Sequence, residues 1–472
     1  MLVTTAGASS PERDAALAGR DLTLDLARVF CVLLVVAVHL MFVGVGATPD
    51  GGIEIRRPLE EQPWFWLATW FGQVMPLFFV VGGFATATAL RSARRRIPDA
   101  DLAARTFAHG RLDRLARPAL PLLAFLAVAL GVAAVVGVDP ALVGAVAIGV
   151  GSPLWFLGAY LICQLAAPLL LRAHEIAPWV TAGSLLVAST AVDVLQFSLP
   201  GVPEDTSGMS VLGYLNLLFV WPLVQLIGFH YADGAFARRR PWQLVLLAAG
   251  SWAVLVPLTA WGPYSLDMLT NLNPPTVPLI ALGVGQAALL QLLKRPLSAL
   301  MRARPVRGAV YALGSRLITL YLWHLPVIVA IAGAGLLVPA LTPVAGSSEW
   351  WLTRPLVYLA VLGVVFLISL GVARLERPVP VARPASFATL AIAGVTTIAP
   401  IVVITVRGLT LWSAVAAALG YAVAVIALRA GQKPKSPKSA EPKSAEPKSA
   451  EPKSADASAV DASAAASSPD AA

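Results

Sequence analysis

Long apolar runs separated by short polar connectors make up most of this 472-residue chain. An α-helix of about 20 apolar residues spans the hydrocarbon core of a bilayer. Only 13% of the residues are charged, whereas soluble domains carry roughly 25%. The sequence therefore predicts an all-α integral membrane protein. Twelve runs are long enough to cross the bilayer: 24–46, 64–90, 117–138, 153–171, 179–197, 211–232, 242–261, 275–293, 317–341, 352–373, 385–406 and 409–428.

The order of these runs divides the predicted polytopic bundle into four parts. Residues 1–19 are polar and are expected to form a disordered N-terminus, and 20–374 form a membrane core of ten helices. Residues 375–429 hold a connector and two additional transmembrane helices, and 430–472 form a tail built on a Pro-Lys-Ser-Ala-Glu repeat. So few apolar side chains cannot offset the entropy cost of ordering, which predicts a disordered tail. The short apolar segment Ala141–Val150 is expected to be re-entrant or interfacial.

Basic residues are distributed unevenly over the connectors. With a cytoplasmic N-terminus, all but four of the 35 Lys and Arg residues fall on the cytoplasmic side; the four are Arg56, Arg57, Arg354 and Arg407. This pattern follows the positive-inside rule. We therefore expect both termini in the cytoplasm and a multi-pass protein of the cell (plasma) membrane. The net charge of +9 then reports topology, and no nucleic-acid partner is predicted.

The two cysteines, Cys31 and Cys163, both lie inside apolar runs. Two such residues exclude a disulfide framework and a cysteine-based zinc site. A buried apolar cysteine is usually an inert small hydrophobe rather than a nucleophile. No metal site and no catalytic thiol are therefore predicted.

Arg28 and His39 are ionisable residues within the first apolar run. On an α-helix, eleven residues correspond to about 1100° of rotation and about 16 Å of rise, so both lie on nearly one face. Ionisable groups at membrane depth are costly and usually mark function. Alone, Arg28 is equally compatible with a functional role and with a structural one, in which it snorkels to lipid headgroups or pairs with Asp25. A buried neutral histidine such as His39 is a natural general base.

Two further features are candidates for the site. His324, in the sequence Tyr-Leu-Trp-His, is equally compatible with a role in packing and with a role in catalysis. The connector after the second helix is rich in arginine, and Arg111, Arg114 and Arg117 recur at a spacing that favours one helical face. Guanidinium groups bind phosphates well, so this face is expected to hold a phosphate-bearing ligand or lipid headgroups.

Taken in order, these residues resemble the acyltransferase-3 family of integral membrane acyltransferases over residues 20–374. The resembling elements are Arg20, Asp25, Arg28 and His39, then 76–84, 111–118, 154–157 with Trp155, and 321–324. Gly82 departs from the pattern, because many family members have serine there. No catalytic hydroxyl is therefore assigned at this position, and the glycine pair is expected to allow close helix packing.

The resemblance implies transfer of an acyl group, often acetyl, from cytosolic acyl-CoA to a hydroxyl of an extracytoplasmic or membrane-associated acceptor. The acceptor would be a carbohydrate, a lipid or a metabolite, and membrane lipids would surround the protein. His39 would act as the base, with Arg28, Arg111, Arg114 and Arg117 holding the donor. Acyl-CoA would be a co-substrate, with no permanently bound cofactor. Direct transfer and an acyl-His39 intermediate both remain open at this point, with direct transfer favoured.

A polytopic transporter or flippase of a glycan or lipid precursor is the alternative. Twelve helices with cytoplasmic termini suit that class, and ionisable residues in membranes also mark transport pathways. Few charges lie in the runs beyond the first, and the two halves show no evident similarity. Many transporters are built from such internal repeats, so the sequence favours the acyltransferase.

Overall fold

The computed structural model describes residues 21–47, 53–206, 208–338, 342–377, 379–381 and 383–430. The predictions for residues 1–19 and for the tail after residue 430 lie outside this part of the chain. The helices are α1 (Leu22–Met41), α2 (Phe65–Gly72), α3 (Met75–Arg96), α4 (Ala100–Val136), α5 (Pro140–Gly151), α6 (Leu154–Ile176), α7 (Pro178–Ser198), α8 (Val220–Ala232), α9 (Pro241–Ala260), α10 (Pro278–Leu292), α11 (Lys294–Leu300), α12 (Arg304–Gly314), α13 (Leu317–Leu336), α14 (Ser348–Glu376), α15 (Phe387–Arg407) and α16 (Leu411–Ala430). Two 3-10 helices cover Val211–Leu218 and Thr270–Leu272, and β1 (Gly44–Ala47) pairs antiparallel with β2 (Ile53–Arg56).

The prediction of an all-α membrane bundle is confirmed for the described residues. Eleven helical segments are long and apolar enough to cross a membrane. The eighth predicted run, 275–293, differs because its helix α10 has only 15 residues, or about 22 Å. A non-helical loop precedes α10, and the side chains of Asn271 and Thr276 are buried in it and hydrogen bond to each other at 3.1 Å. Non-helical backbone is tolerated where protein buries it and satisfies its polar groups.

The short segment predicted around Ala141–Val150 is the 12-residue helix α5. The helix starts at Pro140, where Asp139 caps it by accepting a hydrogen bond from the Ala141 amide at 2.9 Å. α5 packs against α13 and α4, and residues 152–153 lead directly into α6. The segment is therefore part of the bundle, where it forms one wall of the cavity described below.

The glycine pair in α3 allows two helices to approach closely. A methyl group at Gly83 would collide with the backbone carbonyl of Gln225, and one at Gly228 with the carbonyl of Val80. Glycine at both positions therefore brings the backbones of α3 and α8 into contact. The neighbouring Gly82 instead faces the ring of Tyr160, with room for ordinary contact.

The last two helices pack into the bundle through small residues. α15 and α16 pack against each other, α16 lies along α4, and α15 lies against α6. Leu409, between them, sits against Gly151, and Ile401 sits against Gly158. Large side chains fitting beside glycines make a close and well-defined contact. The additional helical pair is therefore an integral part of the folded unit.

The two ends of the bundle have different chemistry. We call the end where α1 begins the arginine end; there Lys294 pairs with Asp21 at 2.8 Å, Arg91 with Asp233 at 2.6 Å and Arg94 with Glu175 at 2.6 Å. We call the opposite end the hairpin end, because β1 and β2 lie there, directly after α1. On α1, Arg28 therefore lies closer to the arginine end, and His39, in the last turn, lies closer to the hairpin end.

Candidate active site

The helices α1 and α13 bring two histidines together inside the bundle. His39 lies in the last turn of α1 and His324 lies within α13. Nε2 of His324 is 3.1 Å from Nδ1 of His39, and the ring centroids are 5.0 Å apart. His324 is 1% exposed. Two residues 285 positions apart thus form one hydrogen-bonded pair, which the spacing along the sequence does not show.

The hydrogen bonds around this pair define which nitrogens carry protons. Nδ1 of His324 is 2.5 Å from the backbone carbonyl of Tyr321. A carbonyl only accepts, so Nδ1 must donate, and in a neutral imidazole Nε2 of His324 then carries the lone pair. That lone pair accepts from Nδ1–H of His39. The assignment leaves Nε2 of His39 unprotonated, which is the state a general base requires.

His39 lines a cavity of about 1060 Å³ that extends toward the hairpin end. Trp155 and Tyr321 line it as well, and the Tyr321 hydroxyl donates to the carbonyl of Pro153 at 2.6 Å. Trp155 is buried and stacks on Trp221 with ring centroids 5.4 Å apart. These contacts fix the start of α6 beside the histidine pair.

A cluster of positive charge lies toward the arginine end of the bundle, whereas the cavity extends from His39 toward the hairpin end. Arg28 donates to the backbone carbonyl of Val81 at 3.3 Å. Arg111 lies over the Phe107 ring at 4.9 Å, and the charges of Arg28 and Arg114 act on its guanidinium. Like charges gathered in one place create a positive potential that attracts anions. The structure thus brings Arg28, Arg111 and Arg114 together, although the three lie on two helices.

An aromatic layer lies between this cluster and the cavity. Phe156 packs against Tyr321 at 4.7 Å, against Phe78 at 5.1 Å and against Tyr160 at 5.6 Å between ring centroids. Tyr160 is near enough to Arg111 to interact with its charge, whereas Tyr321 faces the cavity. The layer therefore separates an anion-attracting site from the histidine pair.

Arg117 has a different environment from its two neighbours in the predicted face. Its side chain is 7% exposed and pairs with Asp113 at 3.3 Å. It also donates at 3.0 Å to each of the carbonyls of Arg374 and Arg377, at the end of α14. These carbonyls have no partner within their own helix, so Arg117 caps α14. Its guanidinium is directed at protein rather than at the site of Arg111.

We expect Arg117→Ala to lower the free energy of unfolding by about 3 kcal/mol, because it leaves Asp113 buried without its charged partner. Thermal unfolding in detergent measures this loss. Arg95→Ala is the control, because Arg95 is exposed at the end of α3. An unchanged unfolding temperature combined with weakened binding of CoA would contradict the capping role.

Asp25 lies in the first turn of α1, as the sequence suggests. The carboxylate that pairs with a lysine there is Asp21, which also caps the helix by accepting from the amide of Thr23 at 3.2 Å. Burial by itself would raise the pKa of the Asp21 carboxyl, but its hydrogen bonds with Lys294 and Thr23 lower the pKa below its ordinary value. These contacts hold the start of α1, and with it Arg28, in place.

Several cavity residues carry no motif that sequence reasoning singled out. Gln73 lies between α2 and α3, and Asp267 lies in the loop before α10. Burial raises the pKa of the Asp267 carboxyl above its ordinary value. Asn273, in the same loop as Asp267, lines the cavity as well. An acceptor with hydroxyl groups would find both donors and acceptors here.

The model of a known family, described as an acyltransferase domain, matches residues 21–374. The chain belongs to the acyltransferase-3 family. No curated protein and no solved structure matches the chain significantly. The acyltransferase-3 domain ends within α14 and contains both histidines and the three clustered arginines. The protein is therefore a multi-pass membrane acyltransferase, to which α15 and α16 add a part outside the acyltransferase-3 domain.

Proposed function

We propose that the protein transfers an acyl group, in the first instance acetyl, from acyl-CoA bound at the arginine end to a hydroxyl of an acceptor in the cavity. The observation that carries this proposal is the hydrogen-bonded chain from the Tyr321 carbonyl through His324 to His39. It holds His39 in the tautomer of a base, at the wall of a cavity large enough for an acceptor.

In the proposed reaction, Nε2 of His39 takes the proton of the acceptor hydroxyl as its oxygen attacks the thioester carbonyl. A C–O bond forms, the C–S bond breaks, and the CoA sulfur leaves with the electron pair and receives the proton from His39. Nε2 of His324 accepts from Nδ1–H of His39 throughout, and this stabilises the imidazolium that forms. Direct transfer needs no covalent intermediate on the enzyme.

The donor would approach from the arginine end. Arg28, Arg111 and Arg114 supply charge-assisted hydrogen bonds to CoA phosphates. The rise along α1 from Arg28 to His39 is about 16 Å, so an extended donor arm is needed to reach the base. Its acyl end would have to pass the layer formed by Phe78, Phe156 and Tyr321. The layer would then open only with a donor present, which protects the thioester from water.

The charge distribution supports a cytoplasmic arginine end, cytoplasmic termini and residence in the plasma membrane. An acyl-CoA from the cytosol would then meet an extracytoplasmic or membrane-associated acceptor. Carbohydrate, lipid and metabolite hydroxyls are all chemically suited to this reaction. The test is to compare acylated surface and secreted compounds by mass spectrometry, with and without the protein. Changed export of a compound without any acylation would favour a transporter instead.

The role of His324 predicts a graded response to substitution. We expect His324→Ala to lower kcat by about 10- to 100-fold, because a hydrogen bond to a charged group contributes about 1.5–3 kcal/mol. His324→Gln should keep a larger share of the activity, since its amide oxygen can accept from Nδ1–H of His39. Initial rates at varied acyl-CoA provide the measurement.

The KM for acyl-CoA should stay unchanged in both His324 variants, because His324 has no proposed contact with the donor. Equal loss in the glutamine and alanine variants, or a loss confined to KM, would show that His324 only fills space.

A further inference from the structure

The cavity beside His39 has two walls of opposite chemistry. One wall is largely apolar and is formed by α5, α13, α15 and the residues directly after α15; its lining includes Val146, Ile148, Val329, Leu336, Ile404 and Leu409. The other wall carries polar groups from the α2–α3 junction, the 3-10 helix before α8 and the loop before α10. A ligand that fills the space contacts both walls at once.

The polar wall is held rigidly by hydrogen bonds and carries both donor and acceptor groups. Gln73 accepts from the Met75 amide at 3.3 Å, and Tyr214 donates to Asp205 at 2.6 Å. Asp267 accepts from the Leu269 amide at 2.7 Å. Asn273, from the loop before α10, adds an amide group to the same wall. A wall of amide, hydroxyl and carboxylate groups favours a ligand that exchanges hydrogen bonds with it, such as one that bears hydroxyl groups.

The apolar wall is partly built from outside the acyltransferase-3 domain. Ile404, Thr405, Gly408 and Leu409 line the cavity and lie after residue 374. The contact of Leu409 with Gly151 fixes their position against α5. Hydroxyl groups placed against such a wall would lose their hydrogen bonds to water without replacement. This wall therefore favours an apolar part of a ligand over hydroxyl groups.

The size of the cavity bears on the same question. At about 1060 Å³ it is slightly larger than the pockets that bind drug-sized ligands, which range over roughly 300–1,000 Å³. An acetyl group and a single sugar hydroxyl would leave most of this space unfilled. Filling it with apolar groups removes apolar surface from water on both sides.

We infer that the acceptor is an amphipathic molecule of about drug size, with a hydroxyl-bearing polar part on the Gln73–Asn273 wall and an apolar part against α5, α13 and α15. α15 and the residues that follow it are thereby a specificity element that selects acceptors with an apolar part. This inference rests on the proposed function, since it names the acceptor class for the same site. It predicts a preference that depends on α15.

The test uses the full-length protein in lipid nanodiscs, with no acyl donor. Equilibrium dialysis against empty nanodiscs compares 2-naphthyl β-D-glucoside with methyl β-D-glucoside. We expect the naphthyl compound to bind at least about tenfold more tightly, because only it has an apolar group for the second wall. Thr405→Trp fills the space at that wall and should abolish the preference. Val403→Trp, on the outward face of the same helix and 49% exposed, should keep it.

Ala332→Phe on α13 repeats the test from a second helix, should Thr405→Trp fail to fold. Equal binding of the two glucosides by the wild type, or a preference unchanged in both cavity variants, would overturn the inference. Acyl transfer is measured in a separate assay with acyl-CoA added. A binding preference as expected, together with no acyl transfer in that second assay, would contradict the proposed function alone. Acyl transfer to a fully polar sugar, without the preference, would contradict the acceptor class alone.

Discussion

Replacing His39 with alanine should lower the rate of acyl transfer by about 10²- to 10⁴-fold, which is the range of a lost general base. The reason is geometric: His39 is the histidine of the pair that lines the cavity, and the tautomer fixed by His324 leaves its Nε2 unprotonated. The initial rate of acyl transfer to an acceptor, measured at saturating acyl-CoA, provides the test.

A matched control separates the loss of a base from the loss of a buried ring. His230 stacks on Trp179 with centroids 4.9 Å apart, and it is absent from the cavity lining. His230→Ala should therefore retain most of the activity. Binding of acyl-CoA should survive in both variants, because neither histidine contacts the arginine cluster. A His39→Ala protein that retains more than a tenth of the activity would disprove the assigned mechanism.

Removing both Arg28 and Arg111 should weaken acyl-CoA binding by at least about 100-fold. Each charge-assisted hydrogen bond contributes roughly 1.5–3 kcal/mol, which corresponds to about 10- to 100-fold in Kd. The remaining affinity should also depend less on salt, because fewer charges face the phosphates. Titration of acyl-CoA into the reconstituted protein at two salt concentrations measures both effects.

In the same assay, a double variant with Arg28→Lys in place of the Arg28 deletion of charge should bind acyl-CoA more tightly than the variant that lacks both charges. Lysine keeps the charge at this position but not the two-pronged geometry of the guanidinium. Arg95→Ala is the matched control, since it removes an exposed arginine from the same end of the bundle. Similar losses in the control and in the double variant would indicate general attraction to the arginine end. Unchanged affinity in the double variant would place the donor elsewhere.

The aromatic layer gives the two predicted losses different signatures. Arg28 and Arg111 lie on one side of Phe156, whereas His39 lies with Tyr321 on the other. Changes on the first side should therefore appear in donor binding, and changes on the second side in kcat. A closed layer between them also explains why the cavity beside His39 is not lined by Arg28 or Arg111 in this structure.

The sequence predicted the bundle well because membrane helices are determined by local properties. About 20 apolar residues suffice to specify a span, whatever the rest of the chain does. The prediction was less accurate at 275–293, where prolines shorten the helix and buried polar side chains support a loop. The length of the apolar run alone does not show how its backbone groups are satisfied.

The role of each polar residue was harder to infer. Arg111, Arg114 and Arg117 have the same residue type and regular spacing, yet Arg117 caps α14 while Arg111 lies near Arg28. The difference arises from a helix more than 250 residues later in the chain. His324 was equally compatible with packing and with catalysis until its distance of 3.1 Å to His39 was known.

The sequence by itself determined the membrane-spanning helices, the resemblance to the acyltransferase-3 family and the alignment of Arg28 with His39 on one helix. These follow from composition and helical periodicity, which act over a few neighbouring residues. Only the tertiary structure decided the tautomer of His39, the aromatic layer and the part of α15 in the cavity wall. Each depends on side chains from helices far apart in the chain, and such contacts form only when the helices pack.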